Sequence, residues 1–358
     1  MNRQSFLQAI QHRKTSSPSV KTTGSIKTTG SIKTTASVKT TGVVFGSGTS
    51  VVCQDIMQRV GASFPEGHTD PEAMFKLALA GHTLAGLDVV MPLFSVCHEA
   101  AAMGCRVNWG GPDMMPESGR PIFRTAADIT IPADLLSQAG CAVPLKALAM
   151  LRRELGDAAA VCGKVMGVWT QAYHYFGLEE FLIKTITEPD EVKRILEKLL
   201  SVTIQFAQAQ LDAGADCLLL ADHATRDLCS PATYEKFLLG IHTHLVEAIH
   251  APLILHICGR SSDRIGLIAR TGVACFHWDT KTGAPAEVRK LAGDRMALMG
   301  GINNLQLLQG TPAEVAAMAR AAVDGGIDVI GPECAIPLST PLVNLQAIST
   351  IGRERKAT

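Results

Sequence analysis

Residues 253–260 read LILHICGR, an apolar run that ends in a histidine and a cysteine two positions apart. Residues separated by two on a strand point to the same face, so His256 and Cys258 offer an imidazole nitrogen and a thiol to one small volume. Two donors do not make a metal site. Other polar, ligand-type residues are scattered along the chain: Asp222 and His223, His277 and Asp279, Asn303 and Asn304, Glu333 and Cys334. Each pair closes a short β-rich run, and that shared position decides which of them can meet.

The β-rich runs fall at 43–48, 88–94, 160–167, 216–222, 251–258, 273–279, 295–302 and 328–334. Between them lie helical segments such as PEAMFKLALAGHTLAG, PDEVKRILEKLLSVTIQFAQAQLDAG and TPAEVAAMARAAVDGG, opened by Thr, Asp or Pro start signals or closed by glycine. Strands alternating with helices give a parallel sheet covered by helices, and eight such units over about 300 residues predict a single-domain (β/α)8 TIM barrel. Reactive groups of that fold sit on the loops and strand ends of its C-terminal face. Strands five and eight both end there, which brings Cys334, in VIGPECAIP, to the rim that carries His256 and Cys258. A His/Cys/Cys set suits Zn²⁺ with a fourth position open to water or substrate, and an open thiolate-rich zinc deprotonates an incoming thiol. The residues alone leave a second reading standing: a packed core histidine beside two inert thiols.

Composition narrows the partners. The 33 basic residues balance the 33 acidic ones, and no basic stripe accompanies the three tryptophans and three tyrosines, so no nucleic-acid footprint is present. No run approaches the roughly 18 apolar residues of a membrane span, and MNRQSFLQAIQHRK lacks the apolar segment of a secretory signal. A cytoplasmic chain with small-molecule or protein partners is expected. Its ten cysteines, none in a CxxC pair, then read as buried hydrophobes, catalytic thiols or metal ligands. Cys97, His98 and Cys105 look like a second cluster, but SVCHEAAAMGC reads as helix and sets the two thiols about two turns apart. FGSGTS lacks the spacing and the lysine of a phosphate loop.

The expected organisation is an N-terminal helix in 1–20, a low-complexity linker in 21–42 and the barrel in 43–358. The linker, KTTGSIKTTGSIKTTASVKTTG, repeats with a period of six and has one apolar residue in six, too few to offset the entropy of ordering it. Residues 104–158 carry several prolines and weak periodicity, and are expected to form a long excursion between the second and third strands.

HxC at a strand end, followed by a cysteine in a GPxC context, resembles the zinc-dependent methylcobamide:coenzyme M methyltransferases of the uroporphyrinogen decarboxylase superfamily. The likeness extends to FLQAIQHRK, VGASFPEGHTDPEAMFKLALAGHTLAGLDVV, the run from Glu99 to Cys105, GVWTQAYHYFG and GGINNLQLLQGTPAEV, with no counterpart for the repeat. The resemblance implies the TIM barrel, zinc held by His256, Cys258 and Cys334, and methyl transfer from a methylcobamide on a separate corrinoid protein to a thiol, coenzyme M first. Another acceptor, such as tetrahydrofolate, is an alternative. A metal-free uroporphyrinogen decarboxylase is a further one, disfavoured because VVFGSGTSVVCQDIMQ contains no arginine to hold a polycarboxylate.

Several residues carry secondary expectations. Asp222 and Asp279 either orient ligands and cofactor or cap local structure. Tyr173 and His174, in a loop after the third strand, line the substrate funnel or pack within the loop. Glu333 is a transient ligand or a support for one, although a strict strand turns it away from Cys334. Arg260 is a candidate for a sulfonate or a surface ion pair.

Overall fold

The structure, a computed structural model, describes residues 2–11 and 43–354; the hexapeptide repeat and residues 12–20 lie outside the described residues. All eight expected strands are present: β1 (Val44–Phe45), β2 (Val89–Val90), β3 (Ala160–Met166), β4 (Cys217–Ala221), β5 (Leu253–Ile257), β6 (Cys275–Trp278), β7 (Ala297–Ile302) and β8 (Val329–Pro332). Their order, β1-β8-β7-β6-β5-β4-β3-β2, is parallel throughout. Between β1 and β2 no ladder forms. Asp88 closes that gap, its amide donating to the Phe45 carbonyl at 2.8 Å and its carboxylate accepting the Phe45 amide at 2.9 Å. The strands are buried on both faces, which is why they read as continuous apolar runs rather than alternating ones.

The Asp88 contact belongs to a repeated device. GLD (86–88), GAD (214–216) and GID (326–328) each precede a strand. The glycine takes the left-handed turn, at φ +105° in Gly214 and +88° in Gly326. The aspartate then accepts a backbone amide of the preceding strand: Val161 to Asp216 at 2.9 Å and Leu298 to Asp328 at 2.8 Å. Arg3 and Arg152 both pair with Asp216 at 2.7 Å, so one carboxylate ties the N-terminal helix (Arg3–Gln11) to the base of the barrel. Phe6 and Ile10 of that helix are fully buried and plug the floor. Asp216→Ala leaves Arg152 and the Val161 amide without their carboxylate, and Arg3 with Asp157 alone, in a site where the carboxylate is only 3% exposed. It is expected to cost about 3 kcal/mol or more, read as a lower urea midpoint at unchanged slope.

Two local expectations need correction, and a third gains detail. Residues 104–158 form the expected excursion between β2 and β3, with regular structure inside it: a short hairpin, Val107–Asn108 with Glu117–Ser118, is followed by a 17-residue helix, Ala139–Leu155, which buries Cys141, Leu148, Leu151 and Leu155. Pro144 in its second turn disguises a stripe that is otherwise regular. Tyr173 and His174 lie on a helix, Val168–Phe176, that follows β3 directly, rather than in a loop. SVCHEAAAMGC is helical only from His98 to Ala102. No helix among the described residues is long and apolar enough to cross a membrane.

Between β2 and β3 the sheet parts. The two strands pair only at Val89–Ala160 and Val90–Val161. Above that point buried side chains satisfy the open edge of β3. Gln210 takes both the amide and the carbonyl of Lys164, at 2.8 and 2.9 Å. Glu99 accepts the Met166 amide at 2.7 Å, and Gln171 and Thr203 donate to its carbonyl at 2.9 and 3.1 Å.

Candidate metal centre

His256 is the fourth residue of β5, Cys258 follows the strand, and Cys334 follows β8. Barrel closure brings them together, with His256 Nε2 at 3.3 Å from Cys258 Sγ and 3.5 Å from Cys334 Sγ, and the two sulfurs 2.8 Å apart. They are the one group of metal-ligand type with converging donor atoms among the described residues. Cys97, His98 and Cys105 do not converge in this way.

The imidazole is oriented from behind. His256 Nδ1 faces the His277 carbonyl at 3.2 Å, which only accepts, so Nδ1 carries the hydrogen and Nε2 presents its lone pair to the sulfurs. His277 is fixed in turn by donating from Nε2 to the Pro332 carbonyl at 2.9 Å, on the turn that leads to Cys334. Cys334 is held well below the ordinary thiol range chiefly by the hydrogen bond from Cys258. Cys258 is pushed up by the same bond and by burial.

Tetrahedral zinc with usual bond lengths needs nitrogen–sulfur separations of about 3.5 Å and a sulfur–sulfur separation of about 3.8 Å. Both nitrogen–sulfur distances meet that requirement, and the sulfurs need to part by about 1 Å. The lone pair aimed from Nε2, the thiolate character of Cys334 and the absence of a disulfide all fit a metal of that type.

The cluster faces a cavity of about 400 Å³. Phe94, Met115, Met166, Leu219 and Ala221 give it an apolar wall, and Thr49, Ser50, Thr170, Tyr173 and His223 add polar groups. Tyr173 and His174 therefore reach the funnel as expected, though from a helix. His174 donates to or accepts from Ser118 at 2.6 Å, and burial holds it down to about 4.

The carboxylates behave differently from one another. Asp222 lines the cavity, but its oxygens accept from the Thr170 amide and hydroxyl, at 2.9 and 3.1 Å, and face His242 Nε2 at 2.9 Å. Asp279 does not line it; it accepts the amides of Gly259 and Lys281 at 3.0 and 2.9 Å, and so holds the turn behind Cys258. Glu333 points away from the cluster, accepting from the amides of Thr280 and Asn304, each at 2.8 Å, and from the Thr280 hydroxyl and the Asn303 side chain. It buckles the turns after β6 and β7 onto β8. Arg260 is exposed and outside the cavity wall. Sequence reasoning passed over Lys164, which lines the cavity from β3 and is only 4% exposed. A lysine in the middle of the apolar run AVCGKVMG was the available signal.

The uroporphyrinogen decarboxylase (URO-D) family model matches residues 34–355, and the chain belongs to that family. Within it, methyltransferases are similar over most of their length. The methylcobamide:CoM methyltransferase MtaA of Methanosarcina barkeri (strain Fusaro) is 33% identical over 297 residues, covering 82% of this chain and 88% of that protein. A methylated-thiol–coenzyme M methyltransferase of Methanosarcina mazei is 31% identical over 296 residues, covering 82% and 80%. A solved methyltransferase structure from Methanosarcina mazei superposes with a TM-score of 0.87 at 29% identity, covering 98% of each chain.

Proposed function

We propose that this chain transfers a methyl group from a methylated corrinoid, carried by a separate protein, to the thiol of coenzyme M, with zinc held by His256, Cys258 and Cys334. The observation that carries the reading is the convergence of those three donors in the wall of an apolar cavity on the C-terminal face. The methyltransferase relatives support the donor and acceptor classes.

Bound zinc would lower the pKa of the acceptor thiol enough to keep it as thiolate at neutral pH. The remaining work belongs to the chain. His277 and Pro332 hold the imidazole of His256, and Asp279 holds the turn that carries Cys258. Glu333 fixes the turn that carries Cys334. The apolar wall keeps water from the sulfur, and the rim, with Val96 and Met115 42% and 53% exposed, offers an apolar seat to the methyl donor. The acceptor sulfur then attacks the methyl carbon in line with the cobalt–carbon bond, whose electron pair departs with cobalt. Alignment of those three atoms is the main catalytic contribution.

The cavity does not suit a polycarboxylate. Among the described residues its wall contains one lysine and no arginine, and Thr49 and Ser50 stand where the segment after β1 reaches it.

The test offers methylcobalamin to the zinc-loaded protein with coenzyme M, homocysteine or tetrahydrofolate, and follows the corrinoid spectrum. Demethylation with coenzyme M is expected. A zinc content near zero in fully active protein, or demethylation by tetrahydrofolate alone, overturns the reading.

A further inference from the structure

Lys164 is the least explained side chain in the cavity. It is 4% exposed, and among the described residues it has neither a hydrogen-bond acceptor nor a carboxylate at ion-pair distance. Its backbone is clamped by Gln210 on the open edge of β3, so the position is built rather than incidental. A buried ammonium without an anion is costly, and natural proteins keep such a group where something completes it.

The nearest protein carboxyl does not serve. Glu99 is committed to the Met166 amide at 2.7 Å, and burial pushes it up to about 7. The other basic groups of the wall are weak competitors. His174 is held down to about 4, and His223 is also lowered, in both cases chiefly by burial. Lys164 itself is brought down to about 8 by burial, against the opposing pull of Glu99 and Cys334, and so remains a cation in most copies at neutral pH.

Strand register places the lysine. Lys164 pairs with Leu219, and His256 pairs with Ala221, two residues further along β4. Lys164 therefore enters the lumen about 6.6 Å deeper along the strands than the metal-binding histidine. An acceptor whose thiol reaches the three donors and whose body points down the barrel would present its far end to this ammonium.

We infer that Lys164 is the anion-binding residue of the acceptor site, and that it selects a short thiol with an acidic tail by pairing with that tail's oxygens at the floor of the cavity. The inference rests on the thiol-acceptor reading and adds to it the residue that distinguishes coenzyme M, a two-carbon thiol with a sulfonate, from a neutral thiol of the same length. It also replaces Arg260, which stands outside the wall, as the sulfonate partner.

The test compares 2-mercaptoethanesulfonate, 2-mercaptoethanol and cysteamine binding to zinc-loaded wild type, Lys164→Met and Lys164→Arg, by calorimetry and by methyl transfer from methylcobalamin. Wild type is expected to prefer the sulfonate over the neutral thiol, and the neutral over the cationic one. Lys164→Met is expected to weaken the sulfonate by roughly 10- to 100-fold while changing the neutral thiol by less than about threefold, as loss of one charge-assisted hydrogen bond predicts. Lys164→Arg should recover part of the preference. Thiol-free ethanesulfonate separates the two readings: if it binds wild type and not Lys164→Met while no thiol is methylated, the lysine site stands and the methyltransferase reading falls. If wild type shows no preference, or Lys164→Met weakens all three thiols equally, the inference is overturned while thiol methylation itself is untouched. Zinc content and far-UV circular dichroism confirm that the variants are folded and loaded; should Lys164→Met not fold, the wild-type preference and Lys164→Arg decide the question.

Discussion

Cys334→Ala is expected to leave a folded protein that no longer retains zinc through dialysis and demethylates methylcobalamin at least a hundredfold more slowly than wild type. Zinc bound by a complete ligand set releases roughly 10–16 kcal/mol, so one of three protein donors accounts for about 4 kcal/mol, near a thousandfold in affinity. Cys258→Ala should do the same, because both sulfurs lie at one side of the same triangle. Stability of the metal-free form should move little, since removing Cys334 also removes a half-buried thiolate that depends on Cys258. That separation matters: cysteines retained only for packing would lower stability on truncation and leave zinc and rate alone. Metal content by atomic absorption and single-turnover rates decide it, and one zinc per chain with an unchanged rate in either variant would falsify the ligand assignment.

The metal-free protein should lose about 5 kcal/mol of stability between pH 7 and pH 5. Four histidines carry the effect: burial holds His68 and His174 down to about 4 and His98 and His277 to about 3, from an ordinary 6.5, with neighbouring positive charge helping at all but His174. Both ring nitrogens of His68 and His98, and Nδ1 of His277, have no hydrogen-bond partner, so little in the fold offsets the cost of burying their charged forms. Because the folded values are depressed, the unfolded chain binds more protons, and the stabilisation present above 6.5 is lost as pH falls towards the folded values. Integration gives roughly 2 kcal/mol per histidine over this interval. Glu99 works the other way. Its folded value is raised from 4.5 to about 7, so acidification returns roughly 2 kcal/mol. Urea midpoints at the two pH values measure the balance, and imidazole resonances of His68, His98, His174 and His277 that titrate in the folded protein above pH 5.5 would overturn it.

Most of the barrel was legible in the sequence because its strands are short apolar runs bounded by glycine, and a parallel sheet buries both faces. The ends were less legible. β1 and β2 are two residues each, although their runs extend through 43–48 and 88–94. Phe94, at the end of the second run, and Thr49 and Ser50, just beyond the first, still reach the cavity wall. The helix Ala139–Leu155 was hidden by one proline, and the helix Val168–Phe176 by aromatic residues that favour strands. His256 and Cys258 could be read from their period of two, but the part played by Cys334 depends on barrel closure, which no local pattern encodes. Glu333 and Asp279 have the right chemistry at the right rim, yet their oxygens are turned to backbone amides. Residue type and strand end locate a rim; only side-chain direction separates a ligand from a brace.

The aspartates at the entry to β2, β4 and β8 fasten the barrel from the end opposite the cavity. Registry is thus settled at one mouth and chemistry conducted at the other, by residues that do not overlap. Such a chain can exchange wall residues, acceptor pockets or even its metal with little penalty to folding, because mutations at the upper mouth leave the fastenings alone. The arrangement makes the scaffold evolvable: selection can rewrite what the protein methylates without renegotiating how it holds together.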